Sequence, residues 1–179
     1  MSDEADQTPS ANSTMRDIAE GLVDGNVDHF PFSEKLDLRD LDFSVDSLNS
    51  VDAYLRSVHK SLPRKLFGGR KFDALSADSA TLLILRIGAY AGEVIRRNST
   101  SKLQWFTFQE ASKVASSLKE AVGDSPDLRT SYLLVSDDKT IWFPLNKVFK
   151  CIADGDAESM IGLARVAIAP PAFHELQRS

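Results

Sequence analysis

The sequence predicts a single α/β or α+β domain, with about five helices around a small, mainly antiparallel sheet. Three observations carry that expectation. Thr81 to Arg97, TLLILRIGAYAGEVIRR, is apolar almost all round at helical spacing, the mark of a helix covered on several sides. Thr107 and Glu110 stand three apart ahead of an apolar stripe, as a capping box requires. Two β-rich runs, Tyr132 to Ser136 and Thr140 to Phe143, flank Asp137-Asp138-Lys139, which is a hairpin signal in the C-terminal half.

The elements follow in order. Residues 1–13 are polar with no apolar anchor, so a disordered tail is expected there. A short helix follows through Met15, Ile18, Leu22 and Val23, stopped by Gly25. Leu36 to Phe43 alternates leucine and charge and reads as a short strand or extended segment. Ser44 is the expected N-cap of a second helix. Its apolar positions Leu48, Val51, Leu55, Val58 and Leu62 are spaced 3, 4, 3, 4, and Pro63 ends it.

A basic loop, PRKLFGGRKFDAL, leads to the central helix, which opens near Ser76 or Asp78 and stops at Asn98. Gly88 and Gly92 each cost about 1 kcal/mol relative to Ala inside a helix, a cost that suits close approach of another backbone. LQWFTF then reads as a strand carrying Trp105, Phe106 and Phe108. The capping box opens a helix with Ala111, Val114, Ala115, Leu118 and Val122 on one side and Gly123 as its stop. After the hairpin, Pro144 starts a helix through Val148, Phe149 and Ile152 that Gly155 closes. A last helix, from near Asp156, carries Met160, Ile161, Ala164, Ala167 and Ile168. The domain is expected over residues 14–171, with a loose tail over 172–179.

Composition narrows function less than fold. At 179 residues, with 42% hydrophobic and 26% charged side chains, the chain has the make-up of one globular domain. Its lone cysteine, Cys151, rules out an internal disulfide framework. An acidic, polar opening in place of a signal sequence points to a cytoplasmic protein. The longest apolar run, Leu82 to Ile95, is too short for a bilayer span and is broken by Arg86 and Glu93.

Charge is unevenly spread. Residues 1–54 hold 13 acidic and 3 basic side chains, whereas residues 55–119 hold 12 basic and 4 acidic. The asymmetry marks either a nucleic-acid patch or an acidic arm, or an acidic part that folds against the basic middle. A net charge of −5 disfavours nucleic acid as the partner.

Motifs for catalysis are weak. Ser57/Lys60, Ser99/Lys102 and Ser116/Lys119 have SxxK spacing, which a serine-rich chain produces by chance. His29, His59 and His174 are scattered, and no metal or cofactor motif organises them. Asp154 to Glu158, DGDAE, reads as a turn between helices rather than a calcium loop. Cys151 reads as a small buried residue. Lys60, Arg64, Lys65, Arg70 and Lys71, interleaved with Phe67 and Phe72, form a basic aromatic segment suited to an acidic protein surface. Phe67, Arg70 and Phe72 are the candidate partner contacts. Arg86 and Glu93 lie seven apart on the central helix and need partners. Glu93 with Arg96 is the candidate pocket lining.

The segment order Leu41–Leu62, GAYAGEVIRR, aromatic strand, WFPLNKVFKCIADG resembles a recurring class of small bacterial α/β proteins with a GAYxGEVIRR-type central helix. The resemblance spans roughly residues 36–168. Some small domains of this sort resemble immunity proteins, which neutralise a toxin by binding it. The resemblance implies a non-enzymatic cytoplasmic protein-binding domain with a protein partner and no cofactor. It carries over no catalytic residues. The alternative is a small enzyme or ligand-binding domain with its pocket beside the central helix.

Overall fold

Apolar spacing sets the helices, and the longest of them organises the rest. The computed structural model describes residues 10–26, 30–63, 75–123 and 126–168. The described chain is mostly helical, with seven α-helices and a three-stranded antiparallel sheet. α1 (Ala11–Val23) is capped by the Ser10 hydroxyl, which accepts the Ser13 N–H. It begins four residues before Met15, so residues 10–13 of the expected tail belong to the fold; residues 1–9 and 169–179 lie outside the described residues.

Over Leu36 to Phe43 no strand forms: Leu36, Asp37 and Leu41 are extended, but the 3₁₀ turn Leu38–Asp40 interrupts them, and another, Ser33–Lys35, just precedes the stretch. Asp37 accepts the Arg39 N–H and pairs with its guanidinium, and such local side-chain bonds compete with strand formation. α2 (Leu48–Ser61) starts after a turn in which Ser44 Oγ accepts the Ser47 N–H. Its predicted stripe from Leu48 to Leu62 is buried throughout. Leu62 is extended at the C-cap, as a residue before proline tends to be.

α3 (Ala77–Asn98) is capped by Ser76, whose Oγ accepts the Ser79 N–H. It lies at the centre, with α1, α6 (Pro144–Asp154) and α7 (Met160–Ile168) packed against it. α2 packs on α6 and α7 from the far side.

The sheet has order β1 (Leu103–Thr107), β2 (Tyr132–Ser136), β3 (Ile141–Trp142), with Trp105 opposite Leu134 and Leu134 opposite Trp142. Period-two alternation divides its residues between two cores. Leu103, Trp105, Leu134 and Trp142 join the main core beneath α3. Phe106, Leu133, Val135 and Ile141 point to a smaller core covered by α4 (Phe108–Val114) and α5 (Ser117–Val122).

α4 and α5 replace the single helix that the apolar stripe predicts. Ala115 is extended between them. The Ser112 hydroxyl donates to the Phe108 carbonyl one turn back, a bond that weakens and bends helices. Phe108 belongs to the first turn of α4 rather than to the strand. The capping box is present as expected: Thr107 Oγ1 accepts the Glu110 N–H, and the Glu110 carboxylate accepts the Thr107 N–H.

Both sheet edges are closed to further pairing. On β1 the outward Trp105 N–H donates to Asn12 Oδ1 at 2.9 Å and the Thr107 N–H to Glu110. β3 is only two residues long. Short edges with occupied donors protect a sheet from adding a strand.

Candidate functional site

The chemistry concentrates at the C-terminal half of α3. Glu93 has 0% exposure, on a helix whose buried side carries one other charge, Arg86. A carboxylate has about four lone-pair positions, and here all four are used. Oε1 accepts from Arg96 Nε at 2.7 Å and Trp105 Nε1 at 2.9 Å. Oε2 accepts from Arg96 Nη2 at 2.9 Å and Arg97 Nε at 3.1 Å. Burial pushes the Glu93 carboxyl up, but the bonds from Arg96, Trp105 and Arg97 outweigh it and hold the group below the usual carboxylate value. Its charge in turn raises Arg96.

Helical spacing places these partners. Arg96 and Arg97 follow Glu93 by three and four residues, the separations at which side chains on one helix meet. Trp105 arrives from β1 and needs the space that Gly92 leaves. A Cβ on Gly92 would overlap Cζ2 and Cη2 of the Trp105 ring. At Gly88 the close neighbour is α6, with Leu145 Cα 3.1 Å from the position a Cβ would take. So one glycine admits a backbone, as expected, and the other admits an indole.

The cluster reaches outward through Arg97. Its Nη2 donates to Glu20 on α1 at 2.7 Å, and its guanidinium carbon lies 3.7 Å from the Phe43 ring centroid. Here the acidic N-terminal part does fold against the basic middle. Phe43 has φ +61°, a conformation that costs a non-glycine residue about 1–3 kcal/mol. Tyr90 and Asn98 hold it there: Tyr90 Oη accepts the Phe43 N–H at 3.2 Å, and Asn98 Nδ2 donates to the Phe43 carbonyl at 2.9 Å.

The structure therefore brings Glu93 and Arg96 together, but as a saturated packing cluster with no solvent access to the carboxylate. Arg86, 9% exposed, lies with its guanidinium 5.5 Å from the Phe30 ring centroid. Phe67, Arg70 and Phe72 lie outside the described residues, as do His29 and His174.

The other candidates are occupied by structure. His59 Nδ1 is 2.8 Å from the Ile152 carbonyl oxygen, and its ring fills the space over Gly155. Burial pushes the Cys151 thiol up to about 12, with the Asp52 charge adding to the shift, so it is a poor nucleophile. The Ser57 hydroxyl is buried without a hydrogen-bond partner, and Lys60 does not engage it. Among the described residues, no group of three or more His, Cys, Asp or Glu could hold a metal ion. No helix there is long and apolar enough to cross a membrane.

One residue with a large role escaped sequence reading. Asp52, buried on α2, caps α7 from 108 positions away. It accepts the Met160 N–H at 2.7 Å, the Ile161 N–H at 3.3 Å and the Ser159 hydroxyl at 2.8 Å. Its only sequence signal is an acid within an apolar stripe. No family model, curated protein or solved structure matches the chain.

Proposed function

We propose that this chain is a non-enzymatic protein-binding domain of the immunity-like kind, which recognises an acidic surface on a protein partner. The observation that carries this reading is where the basic charge goes. Of the basic middle third, Arg96 and Arg97 are spent on Glu93 and Glu20, but Arg56, Lys60, Lys102, Lys113 and Lys119 are exposed. Outward cations speed encounter with an acidic partner and reject basic ones. The basic aromatic segment adds Phe67, Arg70 and Phe72, residue types that anchor protein interfaces.

The saturation of Glu93 weighs against the alternative reading, an enzyme or ligand pocket beside α3. A general base needs a lone pair within reach of substrate, and Glu93 offers none. With no cofactor in the proposal, affinity comes from shape and charge alone.

The test is affinity capture from the native lysate with the tagged protein, beside a Phe67→Ala/Arg70→Glu/Phe72→Ala variant. A stoichiometric protein partner is expected with the native chain. The variant, with an unchanged melting temperature, is expected to bind that partner at least 30-fold more weakly, since a lost hot spot is worth about 2 kcal/mol or more. Recovery of no stable partner, or equal retention by the variant, overturns the proposal.

A further inference from the structure

A second region offers a site of different chemistry. Between α4 and α5 lies an open surface cleft of about 390 Å³, lined by Phe108, Gln109, Ser112, Lys113, Lys119 and Pro126. That volume falls within the range of small-molecule sites, which are mostly apolar with a few placed polar groups. We propose that this cleft binds an organic anion with a flat apolar body, such as an aromatic carboxylate or sulfonate.

The lining divides into two parts that match such a ligand. Phe108, anchored in the smaller core, and Pro126 supply the apolar contact. Lys113 and Lys119 supply two ammonium groups from two separate helices. They face one cleft because the chain breaks at Ala115 instead of continuing as one helix.

Among the described residues, the lining contains no carboxylate to neutralise them. The nearby Glu110 carboxylate is already bound to the Thr107 N–H and hydroxyl. Gln109 adds an exposed amide donor. The Ser112 hydroxyl spends its proton on the Phe108 carbonyl and keeps only acceptor capacity.

A neighbouring cleft of about 270 Å³ makes the contrast. It is lined by Ala121, Val122, Asp127, Arg129, Thr130 and Asn146. Its two charges are already spent on each other, because Arg129 and Asp127 form an ion pair. A charged ligand would gain little there. A third cleft, beside Ser136 and Trp142, has only about 20 Å³, room for about one water molecule. The α4–α5 cleft alone among these three combines size, an apolar floor and unneutralised like charges.

The test uses 8-anilinonaphthalene-1-sulfonate as probe, followed by its fluorescence and by amide chemical shifts of the native full chain. Saturable one-to-one binding is expected, with shifts centred on Phe108, Gln109, Ser112 and Lys119. N-phenyl-1-naphthylamine, which has the same rings without the sulfonate, is expected to bind at least tenfold more weakly. Lys113→Glu/Lys119→Glu alters two exposed side chains and is expected to weaken the sulfonate at least tenfold at an unchanged melting temperature. Shifts centred elsewhere, equal binding of the uncharged analogue, or a dissociation constant unmoved by the charge reversal overturns the proposal. The protein-binding reading shares Lys113 and Lys119 among its outward cations, but its own test reads Phe67, Arg70 and Phe72, so the two proposals fail separately.

Discussion

Gly88 and Gly92 look equivalent in the sequence, four apart on one helix, and the structure gives them different neighbours. Beside Gly92 stands the rigid indole of Trp105, fixed by its own hydrogen bond to Glu93. At Gly88 the nearest atoms, Leu145 Cδ1 and Cγ at 2.9 Å and its Cα at 3.1 Å, would overlap an added Cβ less than the indole does. Alanine gains about 1 kcal/mol of helix propensity at either position, so the neighbour decides the outcome. Overpacking a well-filled core costs about 1–3 kcal/mol or more. Gly92→Ala is therefore expected to lower urea-unfolding stability by about 2 kcal/mol or more, and Gly88→Ala by clearly less. Equal losses would show that Trp105 moves aside freely. The sequence revealed that both glycines allow close approach. It could not reveal what approaches, because the partners come from 13 and 57 positions downstream.

Local sequence wrote the elements whose signals are local. The stripe of α2, the cap of α3, the capping box of α4 and the Pro144 start of α6 were all legible, since each depends on residues within one or two turns. The misses share a cause. At Leu36 to Phe43 the Asp37–Arg39 bonds overrode alternation, and at Ala115 a continuous apolar stripe hid a break.

α7 is the clearest case, because its ends are tied by distant groups. Asp52 holds its first N–H groups, and the Thr100 N–H and hydroxyl donate to the Ile168 carbonyl at its last residue. Removing a capping carboxylate costs about 0.5–2 kcal/mol. Asp52→Ala is expected to lose about that much. It should also speed amide hydrogen exchange in the first turn of α7 more than in α3. Uniform acceleration across both helices, or none, would contradict a tertiary cap.

At the scale of the whole molecule, Glu93, the one carboxylate with 0% exposure among the described residues, links three elements. Through Arg97 and Glu20 it reaches α1, and through Trp105 it reaches the sheet. The fold could be read from the sequence because apolar spacing is strong in nearly every helix. The use of Glu93 could not, since an acid beside two arginines also fits an exposed helix end or a pocket. Only the arrival of Trp105 over Gly92 decides between them. On the proposed function, recognition then falls to the outward basic charges.

It also predicts a pH dependence of known sign. Glu93 is depressed in the folded state, so its contribution is present above the unfolded value, about 4.3. The contribution is lost as pH falls through the lower folded value. Arg96, raised further above its ordinary value, stays charged throughout. Breaking a buried ion pair costs about 3–5 kcal/mol. Because each arginine keeps 31% exposure, a loss of about 2–3 kcal/mol is the fitting magnitude.

The most direct measurement is urea unfolding of the native chain and Glu93→Gln from pH 7 down to about pH 3. The variant should be about 2–3 kcal/mol less stable at pH 7, and the gap should narrow in acid as the native carboxylate gains its proton. Equal stability at pH 7, or a gap that stays constant into acid, would contradict a structural Glu93.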